Sequence, residues 1–211
     1  MRVLVACEYS GRVRDAFIAA GHDAMSCDLK PSEQPGPHYQ GDVRNILKDG
    51  WDLMIAHPEC TYLAYSGMRY WNLPGREEKR REAMSFFMEM INAPIPRICV
   101  ENPRGLPGRE YRRADQEIHP WYFGDPYMKR TCLWLKNLPK LTWWEHDNLF
   151  GPRDCTDLPE PVYVTQRANG VKLRHFTEAA HSKTDRSRTF PGIARAMAQQ
   201  WSELPALALS R

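Results

Sequence analysis

Two residues of this chain have types and positions suited to chemistry on an electron-poor ring. Cys60 closes an apolar run, Trp51-Asp52-Leu53-Met54-Ile55-Ala56, that breaks at His57-Pro58-Glu59-Cys60. A second apolar run ends in the same way at Ile98-Cys99-Val100-Glu101-Asn102-Pro103. A thiol and a carboxylate at the C-terminal tips of two strands can face one pocket in an α/β fold. Carbon 5 of cytosine is a poor nucleophile, and a thiolate adding to carbon 6 turns the ring into a reactive enamine. A carboxylic acid at ring nitrogen 3 stabilises the charge that develops during the addition. Cys60 and Glu101 have the chemistry for these two roles. Packing for the cysteine and a strand-end cap for the glutamate are the plainer alternatives.

The elements that would position them alternate between strand and helix. Residues 2–7 are apolar and run into the turn Glu8-Tyr9-Ser10-Gly11. Val13, Phe17 and Ala20 share a helical face that Gly21 ends. Asp23 to Cys27 predicts a strand ending at Asp28, followed by a loop with Pro31, Pro35 and Pro37. Residues 52–56, 97–101 and 131–135 predict further strands, and residues 76–91 an amphipathic helix. This rhythm predicts an α/β fold with a Rossmann-like, doubly wound, mostly parallel sheet. The segment 136–187 differs, being rich in Pro, Asp, Trp and basic residues with weak periodicity. It predicts a small irregular insertion between a core over 1–135 and a C-terminal section, 188–211, whose helix over 190–201 returns to that core.

The 211 residues are most simply one folded unit, and the net charge of +3 permits a nucleic-acid partner without demanding one. No apolar stretch approaches the roughly 18 residues of a membrane span. Met1-Arg2-Val3-Leu4-Val5 lacks the layout of a signal peptide. The six cysteines (7, 27, 60, 99, 132 and 155) show neither a Cys-x-x-Cys pair nor zinc-ligand spacing, so a reduced intracellular protein without a metal is expected.

The first third has the layout of a nucleoside-cofactor site. Cys7, Glu8, Ser10 and Gly11 occupy the turn after the first strand, and Gly11 lets the backbone approach a ligand. Asp28 lies where a carboxylate can accept bonds from ribose hydroxyls. Asp42, next to Val43, could meet the amino group of a base. His57 and Pro58 complete the expected cofactor set. The three-glycine dinucleotide pattern is missing, which argues against NAD and for a cofactor without phosphates, such as S-adenosylmethionine. Asp28 and Asp42 as plain loop residues remain the alternative.

The order of these motifs resembles that of the DNA cytosine-5 methyltransferases, in particular the compact forms of phages and prophages. The resemblance covers residues 1–135 and 186–201. Ala6 to Gly11 is similar to the family's cofactor turn, Pro58-Glu59-Cys60 to its nucleophile loop, and Glu101-Asn102-Pro103 to its Glu-Asn-Val segment. Gly124 to Thr131 with Cys132-Leu133-Trp134-Leu135 is similar to its late motif and following strand, and Pro191 to Gln200 to its C-terminal helix. The resemblance implies S-adenosylmethionine as donor, Cys60 as nucleophile, Glu101 on the base, and Lys129 in place of an arginine supporting the reacting ring. It further implies Asn102, Arg130, Thr131, Arg186 and Arg188 near the substrate, DNA with the cytosine flipped out of the helix, and the cytoplasm of a bacterial host. Departures are Glu59, where the family has proline, and Tyr127 and Thr131 in the late motif. A carboxylate beside a thiol disfavours the thiolate.

The family's large recognition domain would correspond to a short interval here. It carries Lys140, Trp143, Trp144, Arg153, Arg167, Lys172, Arg174, His175, Lys183, Arg186 and Arg188. Basic residues among aromatics suit phosphate contact and stacking, with a short or relaxed sequence preference. A plain solvated surface is the alternative. Competing functions are modification of a free cytosine nucleotide, binding of cofactor or DNA without turnover, and transfer of a group larger than methyl.

Overall fold

The computed structural model describes residues 1–125, 127–143, 163–175 and 188–204. Its centre is a seven-stranded sheet: β1 (Arg2–Ala6), β2 (Asp23–Asp28), β3 (His38–Gln40), β4 (Leu53–Ala56), β5 (Arg97–Asn102), β6 (Gln116–Ile118) and β7 (Thr131–Lys136). The strand order is β3-β2-β1-β4-β5-β7-β6. All neighbours are parallel except that β7 runs antiparallel to both β5 and β6. Helices α1 (Arg12–Ala19), α2 (Arg76–Ile91), α3 (Leu106–Glu110) and α4 (Pro191–Ser202) accompany it. The fold is therefore the expected Rossmann-like, doubly wound, mostly parallel sheet.

Strand alternation explains the layers. Leu4, Ala6, Met54, Ile98, Val100 and Trp134 join one core with Phe87 and Met90 of α2. Val3, Val5, Leu53, Ile55, Cys99 and Leu133 join the other with Phe17 of α1 and Ile193, Met197 and Trp201 of α4. Strands buried on both faces read as continuous apolar runs, which is why these were legible. At about 25 cal/mol per Å² of apolar surface, such burial is the main force holding the layers together.

The structure adds elements that the pattern did not announce. β3 is three residues long and follows a proline-rich loop, and β6 (Gln-Glu-Ile) is too short and polar to stand out. Within the segment read as irregular, β8 (Tyr163–Gln166) and β9 (Lys172–His175) form an exposed antiparallel hairpin around Gly170, whose φ is 82°. Trp144, Arg153, Lys183 and Arg186 lie outside the described residues.

Candidate active site

The parallel strands end on one edge, at Ala6, Asp28, Ala56 and Asn102. Because β7 is antiparallel, its beginning reaches the same edge, and it brings Lys129 and Thr131 there. The order reverses beside β1, the switch point at which open α/β sheets bind ligands.

Cys60, Glu101, Lys129 and His57 converge on this edge. His57 Nδ1 donates to Glu101 Oε2 at 3.1 Å, and both side chains are largely buried. Burial works against a charge on Glu101, but the His57 hydrogen bond, the Lys129 ammonium and His57 together outweigh it and hold the carboxyl below its usual range. The Cys60 thiol is pushed up from 9.0. Burial by its surroundings and the Glu101 charge raise it, Lys129 opposes them, and Glu59 adds a smaller push. At rest, then, the proton sits on sulfur and the negative charge on Glu101. His57 Nε2 is buried without a partner, as is Asn102 Oδ1.

Backbone bonds hold the nucleophile loop. The Cys60 carbonyl accepts from Leu63 and Ala64 at 3.0 and 2.9 Å, and Asn102 Nδ2 donates to the Pro58 carbonyl at 2.9 Å. Asn102 thus holds the loop through its Nδ2. Leu106 N donates to the Leu63 carbonyl at 2.9 Å, and Tyr65 N to the Arg104 carbonyl at 3.1 Å. Gly105 makes this approach possible, since a Cβ there would lie 2.0 Å from the Leu63 carbonyl oxygen. Gly105→Ala is expected to cost about 1–3 kcal/mol and to lower the thermal midpoint by about 2–4 °C per kcal/mol, read by calorimetry. An unchanged midpoint would show that the loop gives way freely.

Glu59 accepts from the Thr61 hydroxyl at 2.7 Å and stays on the exposed side of the loop. Its charge still reaches the thiol. Glu59→Gln should lower the thiol pKa and raise the rate of thiol alkylation at neutral pH by about 2- to 5-fold, the size of a screened surface charge effect. Stopped-flow alkylation checks this, and a slower variant would reverse the assignment.

The cofactor turn is built largely for its own stability. Cys7 adopts φ 59° and Gly11 φ 75°. The Glu8 carboxylate accepts from Ser10 Oγ at 3.0 Å, Val13 N at 2.8 Å and Arg14 N at 3.3 Å, so it caps α1. Arg14 is fully buried and donates to Ser26, Ser32 and the carbonyls of Gln34 and Pro35, tying the proline-rich loop to α1. Nothing in the local sequence distinguished Arg14 from a surface arginine. Asp28 Oδ1 accepts from Lys30 N at 2.9 Å. Asp42 is engaged within its own turn. Oδ1 accepts from Arg44 N and Oδ2 from Arg44 Nη1, so it caps the 3-10 turn Val43–Asn45 and lies below its usual pKa. Val43 is likewise a core residue. Burial pushes the Cys7 thiol far up, and the charges of Asp28 and Asp42 add to it, so all three groups share one neighbourhood.

Two cavities open on the edge. One is lined by Cys7, Glu8, Tyr9, Ser10, His57 and Thr189. The other is lined by Glu101, Lys129, Thr131, Arg188, Phe190 and their neighbours, and it shares Thr189 with the first. Arg188 grips Glu33 through two bonds of 2.8 and 2.7 Å, and Arg12 donates to the Thr189 carbonyl at 2.9 Å. Residues 188–190 therefore form a strap across the mouth. The Arg188–Glu33 tie joins residues 155 apart and could not be read locally. Arg130, expected near the substrate, approaches Glu117 at 3.5 Å. Asp125 accepts from Gly192 N at 2.8 Å and so caps α4.

Among the described residues no group of three or more His, Cys, Asp or Glu could hold a metal ion, and no helix is long and apolar enough to cross a membrane. The sequence matches no protein-family model and no curated protein. Solved structures similar to this chain include an E. coli prophage protein described as a DNA modification methyltransferase (16% identity, TM-score 0.44, 64% of this chain and 46% of that one). They also include the S. pombe Dnmt2 methyltransferase (15%, 0.41, 66% and 50%) and the Entamoeba histolytica methyltransferase EhMeth (13%, 0.47, 66% and 53%). The chain spans about half the length of these structures.

Proposed function

We propose that this chain is a methyltransferase that uses S-adenosylmethionine to methylate carbon 5 of cytosine in DNA through a covalent bond to Cys60. The observation that carries this reading is the convergence of the Cys60 thiol, the Glu101 carboxyl and the Lys129 ammonium on one sheet edge beside the Cys7–Gly11 turn.

The residues present suit this donor. The cavity at the Cys7–Gly11 turn has no lysine or arginine in its lining, and Asp28 and Asp42 lie near it. That favours a cationic sulfonium nucleoside over a polyphosphate. The space at this turn admits little more than a water-sized group, so the strap at Thr189 would have to shift to admit the donor. Cys7, Ser10, Gly11, Asp28 and His57 would hold it. When bound, S-adenosylmethionine supplies an electrophilic methyl carbon.

The remaining chemistry belongs to the chain. Cys60 sulfur bonds to cytosine carbon 6, and the displaced electron pair makes carbon 5 nucleophilic. The thiol proton must leave sulfur, and a proton must arrive at ring nitrogen 3 through Glu101. The resting pair already contains that one proton, on sulfur and not on the carboxyl. Lys129 steadies both negative groups. After methylation, loss of the carbon-5 proton restores the double bond and releases Cys60. A paired cytosine would have to be flipped out to reach the pocket.

Incubating the protein with methyl-labelled donor and either DNA or dCMP tests the reading. Label in DNA as 5-methylcytosine supports it, and label only in dCMP would replace DNA with a free nucleotide. Binding without turnover is a second reading, favoured by the upward push on the Cys60 thiol. Donor binding by calorimetry with no product from either substrate would select it.

A further inference from the structure

Beyond the nucleophile loop, the 3-10 turn Tyr65–Tyr70 and the start of α2 carry cations and rings that the chemistry above leaves unexplained. Lys79 Nζ lies 5.6 Å from the Tyr62 ring centre, and the Arg76 guanidinium 5.0 Å from Tyr62 and 5.7 Å from Tyr70. Arg69 lies 4.6 Å from the Tyr70 ring centre. The groups therefore alternate as Lys79, Tyr62, Arg76, Tyr70, Arg69. Next to them Arg80 stands 5.3 Å over Trp71, which pairs with Tyr65 at 6.0 Å.

Several surface arginines elsewhere are neutralised by carboxylates: Arg44 by Glu89, Arg112 by Asp115, Arg130 by Glu117 and Arg188 by Glu33. Among the described residues, Arg69, Arg76, Lys79 and Arg80 have no such ion pair. Ring faces orient these cations without cancelling their charge. Residues 62–81 hold five cations against two acids, Glu77 and Glu78. The same surface exposes Tyr65 (39%), Tyr70 (40%) and Met68 (57%), and Trp71 Nε1 is buried without an acceptor.

We propose that this surface binds an unpaired segment of nucleic acid. Its bases stack on Tyr65 and Tyr70, and its phosphates meet Arg69, Arg76 and Lys79. A duplex offers phosphates but hides its base faces; an unpaired strand offers both to a surface that has both complements. Tyr62 and Tyr65 follow Cys60 closely in the chain, so a strand held here runs past the thiol. What it delivers rests on the cytosine reading, whereas the binding does not.

Fluorescence anisotropy of a labelled oligonucleotide with Cys60→Ala protein, single-stranded and as the matching duplex, tests this without turnover. The single strand is expected to bind at least about tenfold more tightly. Tyr65→Ala and Tyr70→Ala should each weaken it by about 5- to 100-fold. Arg69→Gln should reduce the slope of log K against log salt by about 0.7, and its exposed site keeps the fold intact. Equal or tighter duplex binding, variants without effect, or tighter binding of polyglutamate would overturn the proposal. Strand binding with no methyl transfer would leave this site standing and remove the proposed reaction.

Discussion

Cys60→Ala is expected to lower methyl transfer to cytosine by on the order of 10⁴-fold or more, the scale seen when a covalent nucleophile is removed. The Cys60 residue is solvent-accessible even though its surroundings partly desolvate the sulfur, so the variant should keep its thermal midpoint and its affinity for the donor. This pairing of results separates loss of chemistry from loss of structure. The other cysteines provide the control. Cys27, Cys99 and Cys132 are buried, and burial pushes their thiols up, to about 12 for Cys27 and about 11 for Cys132. Conservative replacement of Cys132 should leave the rate within a few-fold of the parent. Labelled-methyl transfer and a calorimetric midpoint measure both arms. A Cys60→Ala enzyme retaining a tenth of the parent rate would remove the thiol from the mechanism.

Glu101→Gln is expected to cost about 10²- to 10⁴-fold and to change the shape of the pH profile. The Glu101 pKa is depressed and the Cys60 pKa raised. Between the two, the dominant form is thiol with carboxylate, and the reactive form is thiolate with carboxylic acid. Both contain one proton, so their ratio does not change with pH, and the parent profile is flat across the neutral range. Without the carboxyl only the thiol titrates, and the rate should rise about tenfold per pH unit up to the thiol pKa. His57→Leu removes the donor that helps hold Glu101 ionised, so the acid edge of the plateau should move to higher pH. The sign for stability follows the same shift. A depressed carboxyl pKa stabilises the fold above the ordinary value near 4.5, and this is lost as pH falls through the folded pKa. A rate that climbs steadily with pH in the parent would contradict the shared proton.

The parts of this architecture that repeat were legible in the residues. Val3-Leu4-Val5 and Ile98-Cys99-Val100 are buried on both faces, so unbroken apolar runs marked strands, and polar breaks marked the functional edge. β3 and β6 were hidden because neighbours hold them rather than their own composition. Ser26 and His38 share a hydrogen bond of 2.9 Å, and Arg14 fixes the loop before β3. At this edge Cys60 and Glu101 stood out as candidates because one follows and the other closes an apolar run, whereas Lys129 came only from the family resemblance. The cap that Asp42 makes on its own turn was not legible, because a carboxylate that caps a turn and one that meets a ligand look alike in one dimension. The role of His57 against Glu101 and the strap tied by Arg188 to Glu33 depend on tertiary contacts, which no local pattern encodes.

Covalent trapping tests the central claim most directly. DNA carrying 5-fluorocytosine blocks loss of the carbon-5 substituent, so an enzyme that adds sulfur to carbon 6 stalls as a stable adduct. With S-adenosylmethionine present, intact-mass analysis should show protein joined to the oligonucleotide, with the bond mapped to Cys60 and absent in Cys60→Ala. No adduct with the parent protein under conditions where it binds both donor and DNA, or an adduct that persists in Cys60→Ala, would contradict the account.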